Sequence, residues 1–393
     1  MSMLHRSAAV CLLAQSASRC PLGRRASVRF ASSSNSEASY RNGVLFIASR
    51  RDVAGANLAH TLLSSGSSSW SALAPSGCPA GGEAAKWLAS DESELQEANV
   101  WLIDDGLTVA DDLDVQWAGS LPTRALPEDV IFLSRHASKS AKKCLTVHPI
   151  GNPTLLADNN PKLGGRAGRS PPPSPRMGDL LRAARARMKA ESSLADFTVC
   201  PEATHHGPWL ESPCCFVEIG SAAEDWSRAD AAACWADVLL STILRNGKDT
   251  RQPLKEASEE TAAAAVPQVV LIGVGGGHYA PKVWDLVSVH PQVMLGHVVS
   301  NYALEFVDSA VDSSTLDGGW RATVTEAVRS TKAAYGEATN GNGEVQPPAF
   351  DFVALVDKKS FKSAQRAQLT SLLEELGVRV ALTKSAVLAP LPQ

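Results

Sequence analysis

Residues 267–281 read PQVVLIGVGGGHYAP: an apolar run, a cluster of glycines, a histidine and a proline. An apolar run bounded by turn residues is the pattern of a strand buried on both faces. Proline suits the first turn of a helix, so Pro281 predicts that a helix begins there. Strand, glycine turn and helix together form one unit of an α/β fold with a parallel sheet. The turn matches neither common nucleotide fingerprint. GxGxxG would need glycine where the chain has His278, and the GK[ST] ending of a phosphate loop is absent. What remains is a turn whose missing β-carbons let a ligand approach the backbone, with His278 and Tyr279 at its rim.

The same pattern recurs outward from this unit. GVLFIAS (43–49), VWLID (100–104), DVIFLS (129–134), LTVH (145–148), CCFVEIGS (214–221), VMLGHVVS (293–300), DFVALVD (351–357) and VRVALT (378–383) all read as strands. Helical stretches fall between them at Asp52–Leu63, 178–191, Glu224–Arg245, after Pro281, and at Ser360–Leu376. This alternation predicts an α/β fold, three-layer, with a mostly parallel sheet flanked by helices. A single catalytic domain over 43–385 is expected, with low-complexity insertions near 64–82, 153–178 and 334–348.

Composition narrows the classes. The chain has 393 residues, 44 % hydrophobic and 20 % charged, enough to bury a sizeable core. No apolar run approaches the ~18 residues of a membrane span, so no membrane role is expected. A net charge of −4 argues against affinity for nucleic acid through bulk charge, leaving local basic patches. The eight cysteines form no CxxC pair, which points to a reducing compartment and away from a thiolate zinc site. The first 36 residues carry Arg6, Arg19, Arg24, Arg25 and Arg29, many serines and no acidic residue. That composition predicts an organellar transit peptide, mitochondrial or chloroplast, the alternative being a disordered basic tail on a cytoplasmic protein.

Histidines stand where strands should end: His136, His148, the adjacent His205 and His206, His278 and His297. In open α/β sheets, sites assemble beyond the carboxyl ends of strands, so these imidazoles and the carboxylates Glu202 and Glu218 are expected to converge. Imidazole and carboxylate are the ligands of hydrolytic zinc sites, although no HExxH or HxH spacing is present. No GxSxG occurs, which excludes that serine-hydrolase pattern.

EATHHGP (202–208), FVEIGS (216–221) and GVGGGHYAP (273–281), with FLSRHAS, LTVHPIGN, LGHVVSNYAL and ALVDKKSFK, resemble the archaeal and plant-type D-aminoacyl-tRNA deacylase family over residues 43–383. The resemblance implies a peptidyl-tRNA-hydrolase-like or phosphorylase-like fold, and cleavage of the ester joining a D-amino acid to tRNA. It also implies zinc, and a link to clearing aldehyde-modified D-aminoacyl-tRNA. The positions that match the family are His136, His148, Glu202, His205, His206, Glu218, His278, Tyr279 and His297. The expected catalytic set is Glu202, His205, His206 and His278, and the expected metal set is His206, Glu218, His278 and His297. Expected to contact substrate are His136, His148, Tyr279 and the amides of Gly275, Gly276 and Gly277. Arg182, Arg185, Arg187, Lys358, Lys359 and Lys362 are the cations expected to face the tRNA acceptor stem. The segment 153–178 and Ser360 depart from the family pattern. A metal-free mechanism assisted by a ribose hydroxyl stays open, as do a peptidyl-tRNA or other ester or amide hydrolase and a noncatalytic RNA-binding module. No feature calls for an obligate protein partner.

Overall fold

Each apolar run named above contains a strand in the computed structural model, which describes residues 42–65, 70–73, 82–87, 98–153, 163–245, 268–304, 306, 319–336 and 350–389. The strands are β1 Asn42–Ser49, β2 Trp70–Ala72, β3 Glu83–Trp87, β4 Ala98–Ile103, β5 Pro127–Arg135 and β6 Cys144–Pro149. They continue with β7 Thr198–Pro201, β8 Cys214–Gly220, β9 Gln268–Val274, β10 Val293–Val299, β11 Phe350–Val356 and β12 Arg379–Ala381. The helices are α1 Val53–Ser64, α2 Leu113–Ser120, α3 Met177–Ala190, α4 Ala223–Trp226 and α5 Ala229–Leu239. After these come α6 Pro281–Val287, α7 Trp320–Tyr335, α8 Ser363–Glu375 and α9 Lys384–Val387. No helix among the described residues is long and apolar enough to cross a membrane.

The strands form two sheets, one of eight strands ordered β2-β3-β4-β1-β5-β8-β6-β7 and one of four ordered β10-β9-β11-β12. The small sheet is parallel throughout. In the large sheet β4, β1, β5 and β8 run parallel, while β6 runs antiparallel to β8. Alternate residues of each central strand enter different cores. Val44, Phe46 and Ala48 join the same core as Leu271, Leu295 and Val353 of the small sheet, together with Leu58, Leu180 and Trp235 of α1, α3 and α5. The opposite faces bury Leu45 and Ile47 in one cluster, and Val270 and Ile272 in another. The two sheets therefore share a helical layer, which fixes the carboxyl ends of β5 and β9 relative to each other.

Three expectations change, and one helix is added. The helix expected over Glu224–Arg245 is broken into α4, α5 and a π turn at Leu240–Arg245. Helix α7 was not legible because Thr323, Glu326, Ser330 and Thr331 lie on its buried face and interrupt the apolar stripe. The expected insertion at 153–178 is packed in its described part. Ser170 and Ser174 are fully buried, Ser174 Oγ donates to Asp129 Oδ2 at 2.6 Å, and Arg176 pairs with Glu128 and Asp129. The 64–82 stretch contains β2. The leader at 1–36 and most of the insertions at 64–82 and 334–348 lie outside the described residues.

One buried carboxylate ties α1 to the end of β5, directly before His136. Asp52 Oδ1 accepts from Gly55 N at 2.9 Å, capping the helix, and Oδ2 accepts from Ser134 Oγ at 3.0 Å and Arg135 N at 3.1 Å. Replacing Asp52 by Ala leaves three donors without their acceptor. Urea unfolding is expected to show a loss of about 2–3 kcal/mol. A loss within about 0.5 kcal/mol would mean that water substitutes for the carboxylate.

Candidate active site

After β7 the chain crosses to the small sheet before rejoining the continuation of β6, where Gly151 N donates to His206 O at 2.8 Å. Glu202 N still donates to Val147 O of β6 at 3.1 Å, but Ala203 N donates to His278 O at 2.7 Å and Thr204 N to Val298 O at 2.8 Å. The segment Glu202–Gly207 is thus a strap from the large sheet to the small one, and it delivers three expected site residues. His206 adopts φ +41°, a left-handed conformation rare for residues with a side chain and common at functional sites. Gly207 cannot be larger: a β-carbon there would lie 2.2 Å from Gly165 N and 2.6 Å from Thr108 O.

Two groups of ligand-type side chains meet at this strap. In the first, one nitrogen from each of His148, His205 and His206 lies within 4.8 Å of the others. Their other nitrogens face backbone carbonyls: His148 Nδ1 to Pro149 O at 3.1 Å, His205 Nδ1 to Ala203 O at 2.7 Å, His206 Nδ1 to Gly207 O at 2.6 Å. A carbonyl can only accept, so each Nδ1 carries a proton and each Nε2 is left to point inward. Burial and the neighbouring His148 hold His206 down to about 4 and His205 well below the usual imidazole range. His148 moves the other way: burial opposes its charge, but Glu218 raises it.

The second group is His136, Glu202 and His278. Glu202 is fully buried, with His136 Nδ1 3.1 Å from one oxygen and His278 Nε2 2.5 Å from the other. Both Glu202 oxygens are buried beside these rings without a well-formed hydrogen bond, so each keeps unmet hydrogen-bonding capacity. Glu218 sits between the groups, 3.5 Å from His136 Nδ1 and 3.8 Å from His148 Nε2. Burial works against a charge on His136, yet Glu202 and Glu218 push its pKa up to about 12. Burial likewise opposes the carboxylates, and the imidazoles hold Glu202 well below and Glu218 below the usual range. Tyrosines hold the far nitrogens: Tyr279 OH is 2.8 Å from His136 Nε2 and Tyr302 OH is 3.2 Å from His278 Nδ1.

The expected metal set is therefore divided. His206 belongs to the first group and His278 to the second, with Glu218 between them. His297 joins neither, because both of its nitrogens are used, by Thr204 Oγ1 at 2.9 Å and Pro171 O at 3.1 Å. Burial lowers it to about 4, so it is a neutral brace behind the strap. His136 and His148 are buried beneath the rim: His136 lies between Glu202 and Glu218 with Tyr279 on its far side, and His148 contributes a nitrogen to the first group.

Gly275 and Gly276 do not offer free amides. Gly275 N donates to Val299 O and Gly276 N to Ser360 Oγ, both at 2.8 Å. Gly275 is required for geometry instead: φ is +91° and a β-carbon would lie 2.7 Å from the Phe361 ring. Gly277 is exposed. The α3 arginines are engaged as well. Arg182 donates to Val287 O at 2.8 Å and to Asp179 at 2.6 Å, Arg185 lies over Trp284, and Arg187 pairs with Asp237 at 2.9 Å. Lys358, Lys359 and Lys362 are exposed at the end of β11. Tyr302 was missed in the sequence, although its place just beyond β10 gave the same strand-end signal as His278.

The family model described as D-aminoacyl-tRNA deacylase matches residues 123–381. The chain belongs to this family. A D-aminoacyl-tRNA deacylase of Arabidopsis thaliana is 33% identical over 282 residues, covering 70% of this chain and 82% of the relative. One from Aeropyrum pernix is 33% identical over 253 residues, covering 64% of this chain and 74% of the relative. A solved structure of a conserved protein of unknown function superposes with a TM-score of 0.62 at 25% identity, covering 88% of this chain and 98% of the other. Strands β1 to β4 precede the span matched by the D-aminoacyl-tRNA deacylase family model, and every site residue lies within it.

The charged cluster makes stability depend on pH. His136 has a raised folded pKa, so its contribution is complete below its unfolded value of 6.5 and is lost as pH rises toward about 12. Glu202 and Glu218 act oppositely, contributing above 4.5 and losing that contribution as pH falls. Urea-unfolding stability is expected to decline from about pH 7 to about pH 9, with His136→Gln flattening the decline. Identical slopes for both proteins would show that the imidazole is not charged in the folded chain.

Proposed function

We propose that this chain hydrolyses the ester bond of D-aminoacyl-tRNA, releasing the D-amino acid and free tRNA. The observation that carries this reading is the pairing of part-exposed His278 with buried, ionised Glu202 beside the glycine turn. The names of the relatives supply the substrate. An aminoacyl ester is already reactive, so positioning together with one proton-transfer group supplies much of what is needed.

Zinc fits the first group. Three imidazoles with Nδ1 tied to carbonyls are a donor set suited to a hydrolytic zinc ion, and His148 Nε2 is buried with no hydrogen bond. The second group fits less well. Ligands of one tetrahedral zinc stand about 3.3 Å apart, whereas Glu202 and His278 are 2.5 Å apart. When bound by His148, His205 and His206, zinc supplies a Lewis acid for the ester carbonyl.

The chain's own residues handle the protons. Glu202 orients His278 from the Nε2 side, leaving Nδ1 toward solvent and Tyr302. Nδ1 takes a proton from the attacking water and returns it to the departing ribose oxygen. Glu218 and His136 balance charge behind this pair, so that Glu202 stays ionised.

D- and L-tyrosyl-tRNA should be compared as substrates, with metal content measured alongside. His278→Ala and Glu202→Gln are expected to lower kcat by about 10²–10⁴ while metal is retained. His206→Ala and chelation are expected to remove zinc and turnover together. Near-normal release of D-tyrosine by His278→Ala would overturn the assignment, and equal rates on both hands would overturn the substrate.

A further inference from the structure

The loops that leave β9, β10 and β11 lie side by side, since these strands are parallel neighbours in the small sheet. Their order places β10 on one side of β9 and β11 with β12 on the other, so the connections diverge at the β9/β11 boundary. Such a reversal opens a crevice beyond the strand ends. The glycine turn forms its floor and is clasped from both sides: Gly276 N donates to Ser360 Oγ, and Gly276 O accepts from Asn301 N at 2.8 Å. A β-carbon on Gly277 would meet nothing within 4 Å.

The two banks differ in chemistry. On one, Tyr302 is 59% exposed, with its hydroxyl directed at His278 Nδ1. A tyrosine held only for that hydrogen bond has no need to present its ring to solvent. On the other, Lys358 and Lys359 are exposed, and neither ammonium is in an ion pair among the described residues. Neighbouring Lys282, by contrast, is held by Asp357 at 2.5 Å. A flat aromatic face opposite free cations, above a floor without side chains, is the combination that binds unpaired nucleotides.

We propose that this crevice holds the unpaired 3′ end of an RNA, with the terminal base stacked on Tyr302 and the preceding phosphates against Lys358 and Lys359. This rests on the hydrolase reading and deepens it: a base on Tyr302 carries its ribose toward the His278 side of the crevice. The unlike banks give direction to the strand, with the base on the Tyr302 side and the phosphates on the lysine side.

Binding to the full chain should be measured with an uncharged RNA hairpin carrying a single-stranded CCA end, and with the same hairpin lacking the terminal base. Tyr302→Leu is expected to weaken binding of the intact hairpin about tenfold or more, and Tyr302→Phe by less than about twofold. Loss of the terminal base should weaken wild type and leave Tyr302→Leu unchanged. Replacing Lys358 and Lys359 by Gln should reduce the slope of log affinity against log salt by about 1.4 for the pair. Equal affinity of Tyr302→Leu and wild type, or an unaltered salt slope, overturns the proposal. Because the RNA is uncharged, tight base-dependent binding without D-ester hydrolysis would sink only the hydrolase reading. Hydrolysis by Tyr302→Leu with an unchanged KM would sink only the crevice.

Discussion

The site depends on the strap that carries Glu202 to Gly207 from one sheet to the other. Its backbone bonds reach β6, the β9 turn and β10 in three successive residues. Because both sheets also share a helical layer, the strap joins two bodies that cannot shift freely past one another. Side chains that would otherwise require long-range packing to meet are placed by main-chain bonds. Thr204 shows the economy of this arrangement. Its hydroxyl accepts from Val298 N and also meets His297 Nδ1, so the back of the strap is fixed where its front carries the histidines.

Burial of so many ionisable groups constrains what each can do. An isolated buried charge costs several kcal/mol, and removing one partner of a buried pair leaves that cost exposed. Glu202 and Glu218 are therefore tolerable only with cationic character nearby, which His136 supplies from between them. His205 and His206 experience the opposite pressure, since crowded imidazoles cannot all hold protons. The result is a division of labour set by environment: His136 and His148 are pushed toward charge, His205 and His206 are kept neutral, and a carboxylate pair is kept ionised. Neutral imidazoles with fixed tautomers are suited to metal coordination.

Much of this was legible in the sequence, but at the level of elements more than partners. Apolar runs such as DVIFLS and VVLIGV marked their strands because both faces are buried. The split into two sheets was not legible, since runs from either sheet have the same local pattern. Nor was the reversed direction of β6, which carries His148. RAGRSPPPSPR misled because proline and arginine usually signal an exposed loop. Here Arg176 is buried against Glu128 and Asp129, and the neighbouring serines are sealed inside. Arg182 misled differently: its helical spacing placed it on a polar face, but the side chain reaches Val287 O at the end of α6. The histidines were recognisable as a set, while their partition into two groups depends on contacts between residues far apart in the chain.

The glycine turn illustrates how a correct location can carry a different reason. Free amides would make it a cradle for an oxyanion or phosphate, but those of Gly275 and Gly276 are used to hold the turn closed. What the glycines contribute is shape. Positive φ at Gly275 and Gly276 lets the chain leave β9 sharply, and the missing β-carbon at Gly275 admits Phe361. The backbone then re-emerges at His278, where its carbonyl receives the strap and its ring meets Glu202. A side chain at Gly275 would act on the site indirectly, by moving His278 away from its carboxylate. The turn is therefore a positioning device, and the chemistry lies one residue beyond it.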